Sequence, residues 1–510
     1  MNKAINVDKV REHIFDVCIV GGGAVGLYLS SIIQAKTISV AIIEAGDIKS
    51  SKDLNNNFEP VFKSETYNGA INGRNFGLGG STNSWGGVLV PYSKYDKLYT
   101  DNVDKWNFIV NTVEKNSKYV LSNLNVDDEI DFFDTKINKF HTDYAKIYNS
   151  RLDIIYSKIL PPTKRNLSTI INLKKLNIFK NLVTTKWEVD ENNFVQKVHA
   201  IDLVDKKNHT FKAKKFIICA GAIESTRILL EINEEAKARI FHKQCEIGQN
   251  LGDHISCSIA KLKSDKKITN FYKPFFYKNE IRAIRYTNNK KNENLKRFFV
   301  HIIFERNDKG FEILRNILKN IQNKQYFKAI DLSLLLHLPS FIKFLYARYI
   351  KNELYVPSNS DISIQVDFEQ AKSKNNRIYL SKNKDFIGRK KAIIDWKINN
   401  EDKKNLTNIT KYLENILNRD EYLLNKKNKI NFNLDFDHIN FYDAYHPTGT
   451  CTFGDEKSDT LNYDLKVKNT KNLYSLSSAI LPTAGIANPT FSLLCFAHEL
   501  SDEINKAMNY

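Results

Sequence analysis

One stretch limits this chain more than any other: "FDVCIVGGGAVGLYLSSIIQA", residues 15–35. A short apolar run rich in β-branched residues halts at the glycines and resumes with helical spacing. Gly21, Gly23 and Gly26 then form G-x-G-x-x-G between a strand and a helix. Gly21 permits the tight turn, Gly23 lets the backbone approach a pyrophosphate, and Gly26 allows close helix–strand packing. The helix start offers N–H groups and positive dipole to phosphates. A second buried strand, "ISVAIIEAG" (38–46), ends on Glu44, placed to bind ribose hydroxyls. A chain that begins this way is an α/β protein with a dinucleotide-binding β-α-β unit.

Length and composition agree. The chain has 510 residues, enough for more than one domain. Hydrophobic residues make up 42% and charged residues 26%, which suits a globular protein. The net charge of +18 admits nucleic acid, anionic lipid or an anionic substrate as partners. Its lysines are scattered among asparagines, as in "YTNNKKNENLKR" (286–297), with no recognition helix or zinc-finger spacing. They read as solvated surface, with no nucleic-acid role. The six cysteines form no C-x-x-C, which fits a reducing, cytoplasmic compartment. No apolar stretch is long enough to span a membrane.

Further elements follow along the chain. "KKFIICAGAIESTRILLEI" (214–232) is again strand, glycine turn, helix. "SDISIQVDFEQ…NRIYLS…KKAIIDWKI" reads as three strands of one antiparallel sheet, and residues 401–417 as an amphipathic helix. The simplest architecture is an α/β Rossmann-like dinucleotide-binding domain built from discontinuous segments (1–100, 166–264 and 436–510). An α+β substrate domain with an antiparallel sheet (101–165 and 265–435) is inserted into it.

"GRNFGLGGSTNSWGG" (73–87) is a second glycine-rich loop, whose Gly79, Gly80 and Ser81 amides can wrap a pyrophosphate from its other side. With "CAGAIESTRILL", "IGQNLGDH" (247–254), "HPTGTCTFG" (446–454) and "ILPTAGIANPTFSLL", these motifs make the chain resemble the glucose-methanol-choline (GMC) flavoprotein oxidoreductases. Trp85 and its neighbourhood are most similar to the pyranose 2-oxidase branch. The resemblance implies bound FAD and oxidation of an alcohol or sugar CH–OH group by hydride transfer to flavin N5. It places Gly21, Gly23, Gly26 and Glu44 at the ADP half, backbone at Val183 and Thr184 at the adenine, and Gly79 to Trp85, Asn83 included, along the flavin. "GIANP", with Ala487 and Pro489, falls at the ring's pyrimidine edge. Ser84 stands where the pyranose 2-oxidase branch carries the histidine bonded to flavin, so FAD is expected to be non-covalent. Ser477 stands where many members carry Asp.

The resemblance sets His446 over the flavin with Asn488, 42 positions on, beside it. Imidazole suits removal of a hydroxyl proton, and an amide can orient an alcohol without titrating. No second His or Cys lies at ligand spacing from His446, so no metal is expected. His254 reads as packing and hydrogen bonding. The electron acceptor, a quinone, a cytochrome or oxygen, stays open, and a dehydrogenase is favoured over an oxidase because peroxide is a burden inside a cell. The competing reading is a membrane-associated binding or assembly protein that keeps FAD structurally. It rests on "FKAIDLSLLLHLPSFIKFLYARYI" (327–350), expected to be helical on both sides of Pro339. That segment reads as a buried helix pair, a membrane-interfacial element or a lid.

Overall fold

The computed structural model describes residues 7–508 except 35–37, 50, 99–101, 139–151, 264–265, 290–294, 306–311, 314–315, 318–335, 352, 357–359, 419–429, 431 and 433–439. Strand β1 (Ile14–Val20) feeds helix α1 (Ala24–Gln34) through the glycine turn and pairs in parallel with β2 (Val40–Ile43). Asn177–Phe179 continues the sheet beyond β2. On the other side β1 pairs in parallel with the long strand β3 (Asn208–Ile218), whose far half takes Leu473–Ser475 as a further parallel neighbour. The first half of β3 turns into an antiparallel extension formed by Leu182–Val189 and Val195–Asp202. Val17, Cys18 and Ile19 are fully buried, as strands covered on both faces must be. A Cβ on Gly26 would lie 2.0 Å from the Gly21 carbonyl oxygen, so only glycine lets α1 sit this close to the turn. The C-terminal helix α5 (Pro489–Lys506) shares this core with α1.

A second, mainly antiparallel sheet holds eight strands. Its centre runs β4 (His254–Lys263), β6 (Phe298–Glu305) and β5 (Glu280–Asn288) around β7 (Asp361–Glu369), with β4 and β6 both paired to β7. Alternation along the strands gives it two unlike faces. Ile255, Cys257, Ile284, Val300, Ile364 and Val366 join one apolar core. The intervening His254, Ser256, Arg285, Phe299, His301, Gln365 and Asp367 form a largely polar opposite face. The segment division drawn from sequence ends the nucleotide domain at 264, yet the whole of β4 pairs in this second sheet.

The three strands expected to form one sheet do not. β7 joins the eight-stranded sheet, whereas Arg377–Lys384 and Lys390–Asp395 pair with each other and with Val61–Phe62 in a separate small one. Alternation marks each as a strand, but partners are chosen by distant chain. Helix α4 (Asn400–Leu417) matches its expectation. It starts with a capping box, Asn399 with Asp402, and buries Leu406, Ile409 and Leu413. Pro339 sits in the first turn of α3 (Leu338–Leu345), where its missing N–H costs nothing, and Leu336 and His337 just before it form 3-10 helix. Residues 327–335, before it, lie outside the described residues. Among the described residues no helix is long and apolar enough to cross a membrane.

Candidate active site

A cleft enclosing about 1420 Å³ of unfilled space, open solvent included, runs between the two glycine loops and on to His446. Gly79 N–H donates to the Gly22 carbonyl at 2.9 Å, joining the two loops. Gly80 has φ +53° and packs on Gly23, so close that a Cβ would fall 2.9 Å from the Gly23 Cα. The first turns of α1 and of helix α2 (Gly221–Glu235) line the cleft, two helix starts suited to phosphate. Glu44 lines it too, and its carboxylate accepts from the N–H groups of Gly22 (2.7 Å), Gly46 (2.8 Å) and Gly77 (3.0 Å). Burial pushes its carboxyl pKa up, and those N–H bonds pull it back. Ser477 lines the same cleft with a buried Oγ that has no hydrogen-bond partner. A bridged pair of glycine turns, two helix starts and an orphaned hydroxyl fit a cofactor of FAD's kind.

His446 lies at the other end of this cleft. The loops carrying His254 and His446 are zipped together, Gly252 and Thr448 exchanging main-chain bonds at 3.2 and 2.9 Å. The buried Asp253 carboxylate accepts from the main-chain N–H groups of His254 (2.7 Å) and His446 (2.9 Å), and from the Tyr67 hydroxyl. Tyr445, just before His446, has φ +64°, a region a bulky residue rarely occupies.

Three contacts assign the protons of the histidine pair. His254 Nε2 lies 2.9 Å from the Gly485 carbonyl, which only accepts, so Nε2 carries hydrogen. Neutral His254 then presents a bare Nδ1, and the 3.0 Å contact with His446 Nδ1 requires His446 to donate there. His446 Nε2 is thereby left unprotonated, 3.5 Å from Asn488 Nδ2. Burial, then His254 and the Arg285 cation, holds the His446 pKa well below the ordinary imidazole range, and burial likewise lowers that of His254. Arg285 itself is buried over the Phe299 ring, 4.3 Å from its centroid, and burial lowers its pKa to about 10.

Asn488 is the N-cap residue of α5, yet its side chain makes no capping bond. An Asn at that place ordinarily caps, worth ~1 kcal/mol. Here the amide turns to His446 instead, and its Oδ1 is buried without a partner. The loop before it is clamped. Gly485 N–H and the Thr483 hydroxyl donate to Glu369 (3.1 and 2.6 Å), and Ile486 N–H donates to Asp96 (3.0 Å). Arg297 holds Glu369 through both carboxylate oxygens (3.1 and 3.0 Å), and burial raises the Asp96 pKa to about 7.

The structure therefore brings Gly21, Gly23, Glu44, Gly80, Ser81, Val183, Thr184, His446 and Pro489 to the cleft. Gly26, Gly79, Asn83, Trp85 and Ala487 stand behind its wall. Asn83 Nδ2 donates to the Leu78 and Gly80 carbonyls (3.1 and 2.9 Å), and Trp85 Nε1 to the Arg165 carbonyl (2.7 Å), so both brace the second loop. Ala487 is fully buried. The residue sequence reasoning undervalued is His254. Its signal was its place after Asp253 in "NLGDH", whose backbone and side chains hold the His446 loop.

Residues 371–497, which include both His446 and Asn488, match the family model for GMC oxidoreductases. The fold is similar to that of pyridoxine 4-oxidase from Mesorbium loti, at TM-score 0.58 and 14% identity over 96% of this chain and 99% of that one. It is also similar to that of a formate oxidase from Aspergillus oryzae RIB40, at TM-score 0.55 and 15% identity over 97% of this chain and 99% of that one. No curated protein matches the sequence. Residues 371–497 thereby fall with the GMC oxidoreductases, a class that acts on CH–OH donors. That family's cofactor is FAD.

Proposed function

We propose that this chain oxidises an alcohol or sugar CH–OH group, with FAD bound non-covalently in a Rossmann-like domain and the substrate held by the inserted domain. The observation that carries the reading is the unprotonated His446 Nε2 beside an Asn488 amide that has given up its capping role. FAD, when bound, supplies the hydride acceptor at N5. His446 Nε2 takes the hydroxyl proton as the C–H bond breaks, leaving a carbonyl. His254 Nδ1, accepting from His446 Nδ1, holds the tautomer that leaves Nε2 free, and the Gly485 carbonyl fixes His254 in turn. Asn488 donates to the substrate oxygen through Nδ2 and offers Oδ1 to the hydroxyl before the proton leaves. These roles supply roughly 10²–10⁴-fold for the proton transfer.

A dehydrogenase is the favoured form, although the two solved likenesses are oxidases at identities that carry fold alone. Reoxidation of the reduced flavin by quinone should outpace reoxidation by air; the opposite order makes the enzyme an oxidase. Alcohol or sugar and an electron acceptor are the small-molecule partners.

Two expected outcomes arise here. Acid or heat should release the flavin into the supernatant, since Ser84 offers no imidazole for a covalent bond and its hydroxyl bonds Asn75 at 3.2 Å. Flavin that stays with the precipitated protein contradicts this. The second is a pH profile. A base acts only unprotonated, and the His446 pKa is lowered, so flavin reduction should be flat from about pH 6.5 upward and fall only on the acid side. Arg285→Met removes a cation that disfavours protonation, so the acid limb should move up in pH. A limb centred above the ordinary imidazole range would contradict the assignment.

A further inference from the structure

Six of the eighteen large hydrophobic residues exposed among the described residues fall within 336–350. Singly exposed apolar residues are ordinary; a contiguous patch is not. Leu338, Ile342, Tyr346, Tyr349 and Ile350 recur at helical spacing along α3 and the turn of π-helix that continues it (Tyr346–Ile350), so they share one face. Ile342, Tyr349 and Ile350 are 58, 74 and 71% exposed, while Ala347 is buried. The charges along this segment have one sign. It carries Lys343, Lys351 and Arg348, the last with its guanidinium 4.0 Å from the Phe276 ring centroid, and no acidic residue occurs between Asp331 and Glu353. Glu353 is itself paired with Lys273 at 2.8 Å.

We infer that this helix docks on an anionic lipid surface, its apolar face entering the headgroup boundary and its cations meeting lipid phosphates. An apolar face edged with Lys and Arg and bearing tyrosines is the composition of interfacial helices. Each basic residue near an anionic leaflet adds to the attraction. A second copy of this chain fits the face poorly. A twofold contact would bring the Lys343, Arg348 and Lys351 cations of two copies together, in a protein already at +18. The helix lies in the connection between β6 and β7, adjacent strands of the sheet that carries His254. None of this depends on the catalytic reading.

The test uses the full-length, flavin-loaded protein and sucrose-loaded vesicles, with or without phosphatidylglycerol in phosphatidylcholine. Wild type should sediment with the anionic vesicles and be released by high salt. The double variant Ile342→Glu, Tyr349→Glu should lose at least about tenfold in binding while keeping its flavin and melting temperature, because both side chains face solvent. Lys343→Gln with Arg348→Gln should weaken binding to anionic vesicles alone. No sedimentation at low salt overturns the inference. So does a double variant that binds like wild type, or a concentration-dependent dimer abolished by the double variant without vesicle binding, which makes the face a contact between copies.

Discussion

His446→Ala should slow anaerobic flavin reduction by ~10²-fold or more, at least about 2.7 kcal/mol of transition-state stabilisation, and leave FAD bound. Cofactor binding should survive because the glycine loops lie at the other end of the cleft. The loop should survive because Asp253 holds His446 through its main-chain N–H, which alanine retains. What disappears is the one unprotonated imidazole nitrogen beside Asn488, together with the donor to His254 Nδ1. The loss of that donor leaves a buried acceptor unpaired, a cost of about 1–3 kcal/mol that should appear as a lower melting temperature. Stopped-flow absorbance with a good substrate gives the rate, and a wild-type rate in a fully flavinated variant would make His446 a packed core residue. Asn488→Ala should cost less, since orientation is lost and the proton acceptor remains.

Gly80→Val should fold and emerge largely without FAD, its flavin content down at least ~tenfold. A left-handed backbone costs an L-residue ~1–2 kcal/mol, and a β-branched side chain more. The added Cβ would also press on the Gly23 Cα at 2.9 Å, so the second loop must lift from the first where both are expected to close on the pyrophosphate. Neither glycine belongs to the apolar cores, so circular dichroism should match wild type. Full flavin content would mean that the second loop does not wrap the cofactor.

Much of this site was legible in the residues, because turns and helix starts are local. "VGGGAVG" announces its strand, turn and helix, and α4 carries its cap and its apolar stripe within eighteen residues. The pairing of His446 with Asn488 was legible only through family resemblance, since 42 positions of chain separate them and nothing local brings them together. Three things lay outside local reading. The strand Asp361–Glu369 alternates like its neighbours in sequence, but its partners come from 254–263 and 298–305. Asn488 looks like an ordinary helix cap until the side chain is seen to face His446. His254 gains its significance from a carbonyl 231 residues away, which decides which nitrogen of His446 keeps its proton.

Anaerobic bleaching of the bound flavin by alcohols and sugars tests the alcohol-oxidising reading most directly. At least one such compound should bleach wild-type protein in a single turnover, yield its carbonyl product in amount equal to the flavin, and react more slowly when deuterated at the carbinol carbon. Flavin that dithionite reduces but that stays oxidised with small alcohols, sugars and sterols alike would contradict it, and would leave the cofactor a structural part of the fold.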